Sequence, residues 1–427
     1  MVTPGTLSVK ASRSLSSEDL SFPNLQISQY LNVSTLKQNG NNVYSEKDSE
    51  NETYLRHFIR FAPGGKGEVY ITAGPSQPLS KIIQATASTG EIFPKPRPVS
   101  TKSHGNLTFQ IETISPGIRC GAATKDESNE ILAAAYTYMT SRPYDAQATL
   151  DKSSYSLFTF NDSTSQTTRY HLYYFAMVPS FNTTSNQAQP LPLDLDGGKE
   201  YSENYNTSLA DRLWIAVSPG NGNATSSVDP TFISCQLWNV SYTFNTSFSS
   251  DRQTTILTDT KYLNPVQPMV GWDDKTTTTR ESPTIGGAGT NAARMTYTMF
   301  FLGICERLTG IVYTSADMTT VNVLEGGIRH TVLTGSTDYF DAVVKGQNGI
   351  LSNTKSIEQS LQPTNKSISS MIEELSANVT SNMLGNTFFR SVCCFNSLVV
   401  LQPLGMSSFT PQTLFLRDSQ LDANLPM

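Results

Sequence analysis

Side chains whose type and spacing could carry out catalysis are few and scattered along this chain. Trp272-Asp273-Asp274 comes nearest, because an aromatic platform beside two carboxylates suits sugar binding or glycoside hydrolysis. Adjacent carboxylates tend to point apart, however, and the Thr-rich surroundings favour plain solvation. His57, His104, His171 and His330 lack metal-ligand spacing, and no Gly-x-Ser-x-Gly elbow occurs. Pro63-Gly64-Gly65-Lys66-Gly67 misses the spacing and hydroxyl of a phosphate loop, and Asp194-Leu195-Asp196-Gly197-Gly198 misses the further ligands of a calcium loop. Both read as turns. Gly287-Ala288-Gly289-Thr290-Asn291-Ala292 has the letters of a dinucleotide fingerprint, yet no strand precedes it, so it reads as a loop leading into a helix. No catalytic residue, metal site or cofactor is expected.

Covalent chemistry is better signalled. Acceptor sequons for N-glycosylation open at Asn32, Asn51, Asn106, Asn161, Asn182, Asn206, Asn223, Asn239, Asn245, Asn365 and Asn378. About six would arise by chance from this content of Asn, Ser and Thr. Cys120, Cys235, Cys305, Cys393 and Cys394 allow at most two disulfides, with one thiol left over. Cys120 is the preferred partner for Cys235 or Cys305, and one of Cys393 and Cys394 is expected to bridge to Cys305 or Cys120.

The elements that must position these groups start with the stretch from Cys235 to Phe248. It alternates with period two: Trp238, Val240, Tyr242 and Phe244 take one side, and Asn239, Ser241, Thr243 and Asn245 the other. Both sequon asparagines therefore lie on the polar face of a half-buried strand, where a glycan would not disturb the aromatic face. Asn106–Glu112 follows the same rule, with Leu107, Phe109 and Ile111 inward and Asn106 outward. Further strands are expected at Tyr54–Phe61, Glu68–Thr72, Tyr155–Phe160, Arg169–Val178 and Leu213–Val217. A helix is expected from Ser76, its N-cap, to Gly90, its stop, and others over Asp126–Thr140, from Asn291, and over Ser367–Leu384. Asn378 would sit at the edge of the last helix's apolar stripe, where a glycan is tolerable.

The expected fold is α+β, a β-sandwich-like antiparallel core with a few packed helices, mainly toward the C-terminal third. Residues 1–52 read as a polar arm contributing at most an edge strand, 53–258 as the β-rich glycosylated domain, and 259–290 as a long surface loop. Residues 291–390 read as a helical segment packing on the β core, and 391–427 as a poorly ordered tail. A net charge of -6 offers no basic stripe for nucleic acid. Neither a signal peptide nor an apolar run long enough to span a bilayer is visible, so targeting and membrane-anchoring segments are expected outside this sequence.

Val2-Thr3-Pro4-Gly5-Thr6-Leu7, Ala73-Gly74-Pro75-Ser76, Pro116-Gly117-Ile118-Arg119-Cys120 and, above all, Cys235-Gln236-Leu237-Trp238-Asn239-Val240-Ser241-Tyr242 mark a resemblance over most of residues 2–385. In these motifs the chain resembles a group of uncharacterised, heavily N-glycosylated plasma-membrane proteins of filamentous fungi. The resemblance implies an ectodomain between membrane spans. This chain departs from the group at both ends, since it begins at the ectodomain and has no span after Arg390. No activity or functional residue comes with the group.

The resulting expectation is a non-enzymatic extracellular glycoprotein domain on the outer side of the plasma membrane, or secreted, with a cell-wall carbohydrate or a protein as the ligand class. The alternative is a secreted carbohydrate-active enzyme or carbohydrate-binding module built around Trp272, Asp273 and Asp274.

Overall fold

The computed structural model describes residues 8–11, 59–63, 70–94, 107–140, 148–150, 159–162, 169–182, 188–191, 205–206, 208–218, 230–249, 252–268, 285–314, 321–324, 327–342 and 364–385. In chain order the strands are β1 (Ser8–Ala11), β2 (Ile59–Pro63), β3 (Tyr70–Pro75), β4 (Leu107–Ala122), β5 (Ala148–Leu150), β6 (Thr159–Asp162), β7 (Arg169–Met177) and β8 (Pro179–Asn182). There follow β9 (Ala188–Pro190), β10 (Tyr205–Asn206), β11 (Arg212–Val217), β12 (Thr231–Ser249), β13 (Arg252–Pro265), β14 (Gly310–Thr314) and β15 (Val321–Leu324). The helices are α1 (Gln77–Thr89), α2 (Lys125–Thr140), α3 (Ile285–Leu308), the single turn α4 (Thr337–Phe340) and α5 (Ile368–Gly385).

The class is α+β with an antiparallel core, as the sequence leads one to expect. One ten-stranded sheet runs β1-β4-β12-β11-β7-β14-β15, with β13 on β12 and the β5-β6 pair on β7. Helices cover this sheet, and the two remaining sheets have three and two strands. β12 holds the assembly together because it is the longest strand. Along one side it pairs with β4 from Ile233↔Ala122 to Phe248↔Leu107 without a break. Its other side is shared, first by β11 and then by β13.

In the middle of the sheet both faces are buried. Leu213, Ile215 and Val217 of β11 and Tyr174 and Ala176 of β7 join the larger core with α1, α3 and α5. The alternate residues Trp214, Ala216, Phe175 and Met177 join a second core against Ile131, Ala134 and Ala135 of α2. Strands buried on both faces need near-continuous apolar sequence, and β7 (RYHLYYFAM) and β11 (RLWIAV) supply it.

α1 is set by its ends. Ser76 caps the Leu79 N–H, Pro78 occupies the first turn where its missing donor costs nothing, and Gly90 at φ 69° closes the helix by donating to Thr86 O. α2 begins one residue before the expected Asp126, because Thr124 rather than Asp126 caps it. The Thr124 hydroxyl accepts from the Glu127 N–H while the Glu127 carboxylate accepts from the Thr124 N–H, a reciprocal capping box.

Several expectations are corrected. Pro116–Cys120, whose Pro-Gly pair by itself reads as a turn, is the middle of β4. Asp259–Pro265, expected as the start of a long surface loop, belongs to β13 instead. Helix α3 starts at Ile285, so Gly287–Ala292 lies inside it rather than in a loop ahead of it. β14 and β15 add two strands to the expected helical segment. The edge strand from the N-terminal arm is β1, paired to β4 from Ser8↔Glu112 to Ala11↔Phe109.

Candidate functional site

Two surfaces of β12 and its neighbours bring together the residues singled out by sequence. One is the outer half of the β4-β12-β13 ribbon, which carries sequon asparagines. The other is the part of the β4 edge beyond β1, where α5 docks.

In the antiparallel register, residues of like parity on β12 share a face. Val240, Tyr242 and Phe244 are buried, as expected from their alternation, and Trp238 is half-buried. Opposite them, Asn245 is exposed and Asn239 half-exposed, also as expected. Ser241 and Thr243, expected on the same open face, are only 8% exposed each. Toward the start of β12 the buried parity changes, because Cys235 and Leu237 are fully buried there.

The Asn239 amide is held on one side. Its Oδ1 accepts from the Tyr297 hydroxyl of α3 at 3.1 Å, which leaves Nδ2 directed at Asn264 Oδ1 of β13, 3.4 Å away. Nδ2 is the atom to which an N-glycan is joined. Six residues along the same face, Asn245 stands directly opposite Ile256 of β13.

Cys120 and Cys235 are cross-strand partners in the β4-β12 ladder and form a disulfide with Cα atoms 4.0 Å apart. Of the partners open to Cys120, the ladder selects Cys235. Cys305 is corrected as a disulfide candidate: it is a free, fully buried thiol on α3, and burial pushes its pKa well above the ordinary thiol range. Such a thiol is inert.

At the β4 edge the backbone N–H groups of Ile118 and Cys120 point away from β12. α5 meets them with the Ser376 hydroxyl at 3.3 Å and the Glu373 carboxylate at 2.8 Å. An otherwise open strand edge is thereby closed by helix side chains. Pro116 has the same parity, so its missing N–H falls on the α5 side and interrupts no bond to β12. Gly117 is required because a Cβ there would come within 2.2 Å of Tyr242 Oη and 2.6 Å of Val240 Cγ2. The Tyr242 hydroxyl in turn meets Ser376 Oγ at 3.1 Å, and Ser115 meets Thr380 at 3.2 Å.

α5 buries polar side chains to fasten the end of α1. Asn382 Oδ1 accepts from the Phe93 N–H at 2.7 Å, while its Nδ2 donates to Thr86 Oγ1 and Glu91 O. Asn378, 7% exposed, donates its Nδ2 to Gly90 O at 3.0 Å. The expectation of a tolerable glycan at Asn378 is therefore corrected, since its attachment atom is buried and already bonded. Thr380, the hydroxyl residue of that sequon, is fully buried as well.

Ionisable groups meet where β11, β12 and the start of α2 come together. The main cluster is structural: Arg212 lies 3.6 Å from Glu127 and 4.0 Å from Asp211, Gln236 donates to Asp211, and Ser234 donates to Glu127. Burial raises the pKa of Asp211 above its ordinary value despite Gln236 and Arg212. Burial also pushes Glu127 up, but its hydrogen bonds from Thr124 and Ser234 and the charge of Arg212 outweigh this and leave its pKa lowered. Arg119 lies over Trp238 and Tyr262, 5.0 and 5.3 Å from their centroids, so these rings are already engaged by a cation.

His330 is exposed, and His171 lies in β7. Among the described residues no group of His, Cys, Asp and Glu could hold a metal ion, and no helix is long and apolar enough to cross a membrane. Asn365 is exposed just ahead of α5. Asn161, Asn182 and Asn206 lie in β6, β8 and β10, while Asn32, Asn51, Asn106, Asn223, Trp272, Asp273, Asp274, Cys393 and Cys394 fall outside the described residues. No family model, curated protein or solved structure matches the chain.

Sequence reasoning missed the α5 docking surface. Its signal was present in the run Ser376-Ala377-Asn378-Val379-Thr380-Ser381-Asn382, which has too many small polar residues for an exposed helix face and none of the charge that such a face carries.

Proposed function

We propose that this chain is a glycan-shielded extracellular domain of a surface protein, acting in surface structure or recognition rather than in catalysis. The observation that carries the reading is the placement of Asn239 and Asn245. Asn245 is exposed and Asn239 half-exposed on one face of β12, with Tyr242 and Phe244 buried on the other. The Cys120–Cys235 disulfide supports it, because such bridges persist in oxidising compartments. Exposed Asn365 adds a further accessible acceptor. A fungal surface protein is the host class that the sequence motifs suggest.

The carbohydrate-active alternative centres on Trp272, Asp273 and Asp274, which lie outside the described residues. The aromatic pair Trp238 and Tyr262 has its rings engaged by Arg119, which leaves no bare platform for a sugar at that point.

The reading is tested by directing the full chain through the secretory pathway of an N-glycosylating host and treating the product with a glycosidase. A large fall in apparent mass is expected, together with an absence of free thiol at Cys120 and Cys235. An unchanged mass contradicts the reading.

A further inference from the structure

Two large apolar side chains are exposed among the described residues: Ile256 at 58% and Leu263 at 48%. Both lie on β13, Ile256 across from a sequon asparagine of β12 and Leu263 next to the residue across from another. Ile256 is the direct cross-strand partner of Asn245. Leu263 is the bulged residue between Tyr262, opposite Val240, and Asn264, opposite Asn239. Among the described residues β13 pairs with β12 alone, so its outer edge is a row of backbone donors and acceptors beside exposed apolar side chains. That combination invites pairing with another chain.

We propose that the N-glycans on Asn239 and Asn245 lie down across β13, the first sugar of each covering Leu263 and Ile256, and so close this edge against self-association. The proposal rests on the glycoprotein reading above and adds to it a specific occupant for the exposed apolar surface.

The geometry supplies direction as well as proximity. Asn239 is held through Oδ1 by Tyr297, and its Nδ2 faces Asn264, so a glycosidic bond at that atom leaves toward β13. Directly opposed residues on a sheet face have Cβ atoms roughly 5 Å apart, within reach of the first N-acetylglucosamine. The acetamido methyl and the C–H face of that sugar are apolar, while its hydroxyls remain in water. Ile256 and Leu263 thus meet the apolar part of a ligand whose remainder is hydrated. β13 also carries partial protection of its own, through two register irregularities and the charged pair Lys261 and Asp259. The glycans act where those devices do not, at the two apolar positions.

The test uses the full chain secreted from an N-glycosylating host. Glycosylation is blocked with Ser241→Ala and Ser247→Ala, which leave both asparagines in place. Sedimentation velocity is read in both backgrounds, with and without Ile256→Thr and Leu263→Thr. The glycosylated protein is expected to be monomeric whichever residues occupy 256 and 263. Blocking the sequons is expected to strengthen self-association roughly tenfold or more, and the threonine pair is expected to reverse it. Glycosylated protein trimmed enzymatically to one sugar per site is expected to stay monomeric, a comparison that needs no substitution. Glycans found on both asparagines, with no change in association when they are blocked, would overturn the shielding while leaving the glycoprotein reading intact. Association that persists with threonine at 256 and 263 would overturn it equally. Peptides spanning Asn239 and Asn245 that carry no hexosamine would overturn both.

Discussion

Asn245 and Asn378 open the same three-residue pattern and meet opposite surroundings. Asn245 stands exposed on a strand whose other face is buried, with the cross-strand neighbours Ile256 and Gln110 beside it. Asn378 stands on a helix buried nearly all round, with its amide donating to Gly90 O. The ribbon leaves Asn245 in water although Ser241 and Thr243 on the same face are covered, whereas a helix clamped between α1 and β4 has almost no open face to offer. Whether an acceptor sequon is accessible therefore depends on the layer that covers it. The polar residues of α5 are retained for another purpose, which is to satisfy backbone groups at the β4 edge and the α1 terminus.

The largest effect is expected where both regions are tied to a common strand. Replacing Cys120 and Cys235 by Ser removes a cross-link between residues 115 apart and should cost about 3–5 kcal/mol, read as a lower urea midpoint. An unchanged midpoint would mean that the β4-β12 seam holds neither region.

Next comes Asn382→Ala, which strands the Phe93 N–H and takes partners from Glu91 O and Thr86. A loss of roughly 3 kcal/mol in chemical denaturation is expected. Ser247→Ala on the open ribbon of unglycosylated protein should stay within about 0.5 kcal/mol. Equal losses would erase the contrast between the two regions.

Gly117→Ala sharpens the α5 side of the comparison. Overpacking against Tyr242 and Val240 is expected to cost about 1–3 kcal/mol. Adding Tyr242→Phe, which removes the nearest atom, should recover part of that in the same thermal melt. Full stability of the single variant would show that β4 and β12 have slack at this point.

The smallest effect concerns pH. Burial raises the pKa of Asp211, so over the window between its unfolded and folded values the folded protein holds a proton that the unfolded chain has lost. Stability from this group is therefore present in acid and falls as pH rises through the folded value. Asp211→Asn cannot ionise and still accepts from Gln236. Its unfolding free energy should exceed the wild type's slightly near neutral pH, by less than about 1 kcal/mol, and the difference should vanish in acid. A gain confined to acid would contradict the burial argument.

Local signals made some of this architecture legible. Ser76, Pro78 and Gly90 delimit α1 because capping and stopping are properties of single residues. The apolar face of β12 was legible because period two survives where one layer covers a strand. The Pro116-Gly117 pair misleads for a physical reason: in isolation it favours a turn, but here α5 takes the side where proline lacks a donor and Tyr242 takes the space a side chain would fill. The Gly-rich start of α3 likewise has poor helix propensity. Of the candidate site, the exposure of Asn245 was readable from alternation. The burial of Asn378 was not, because only the chain returning over β4 and α1 covers it.

Glycopeptide mass spectrometry of the folded, secreted chain tests the central claim most directly. Hexosamine is expected on the peptides containing Asn239 and Asn245, and none on the peptide containing Asn378. Glycan on Asn378 in natively folded protein, or bare asparagine at both 239 and 245, would contradict the account.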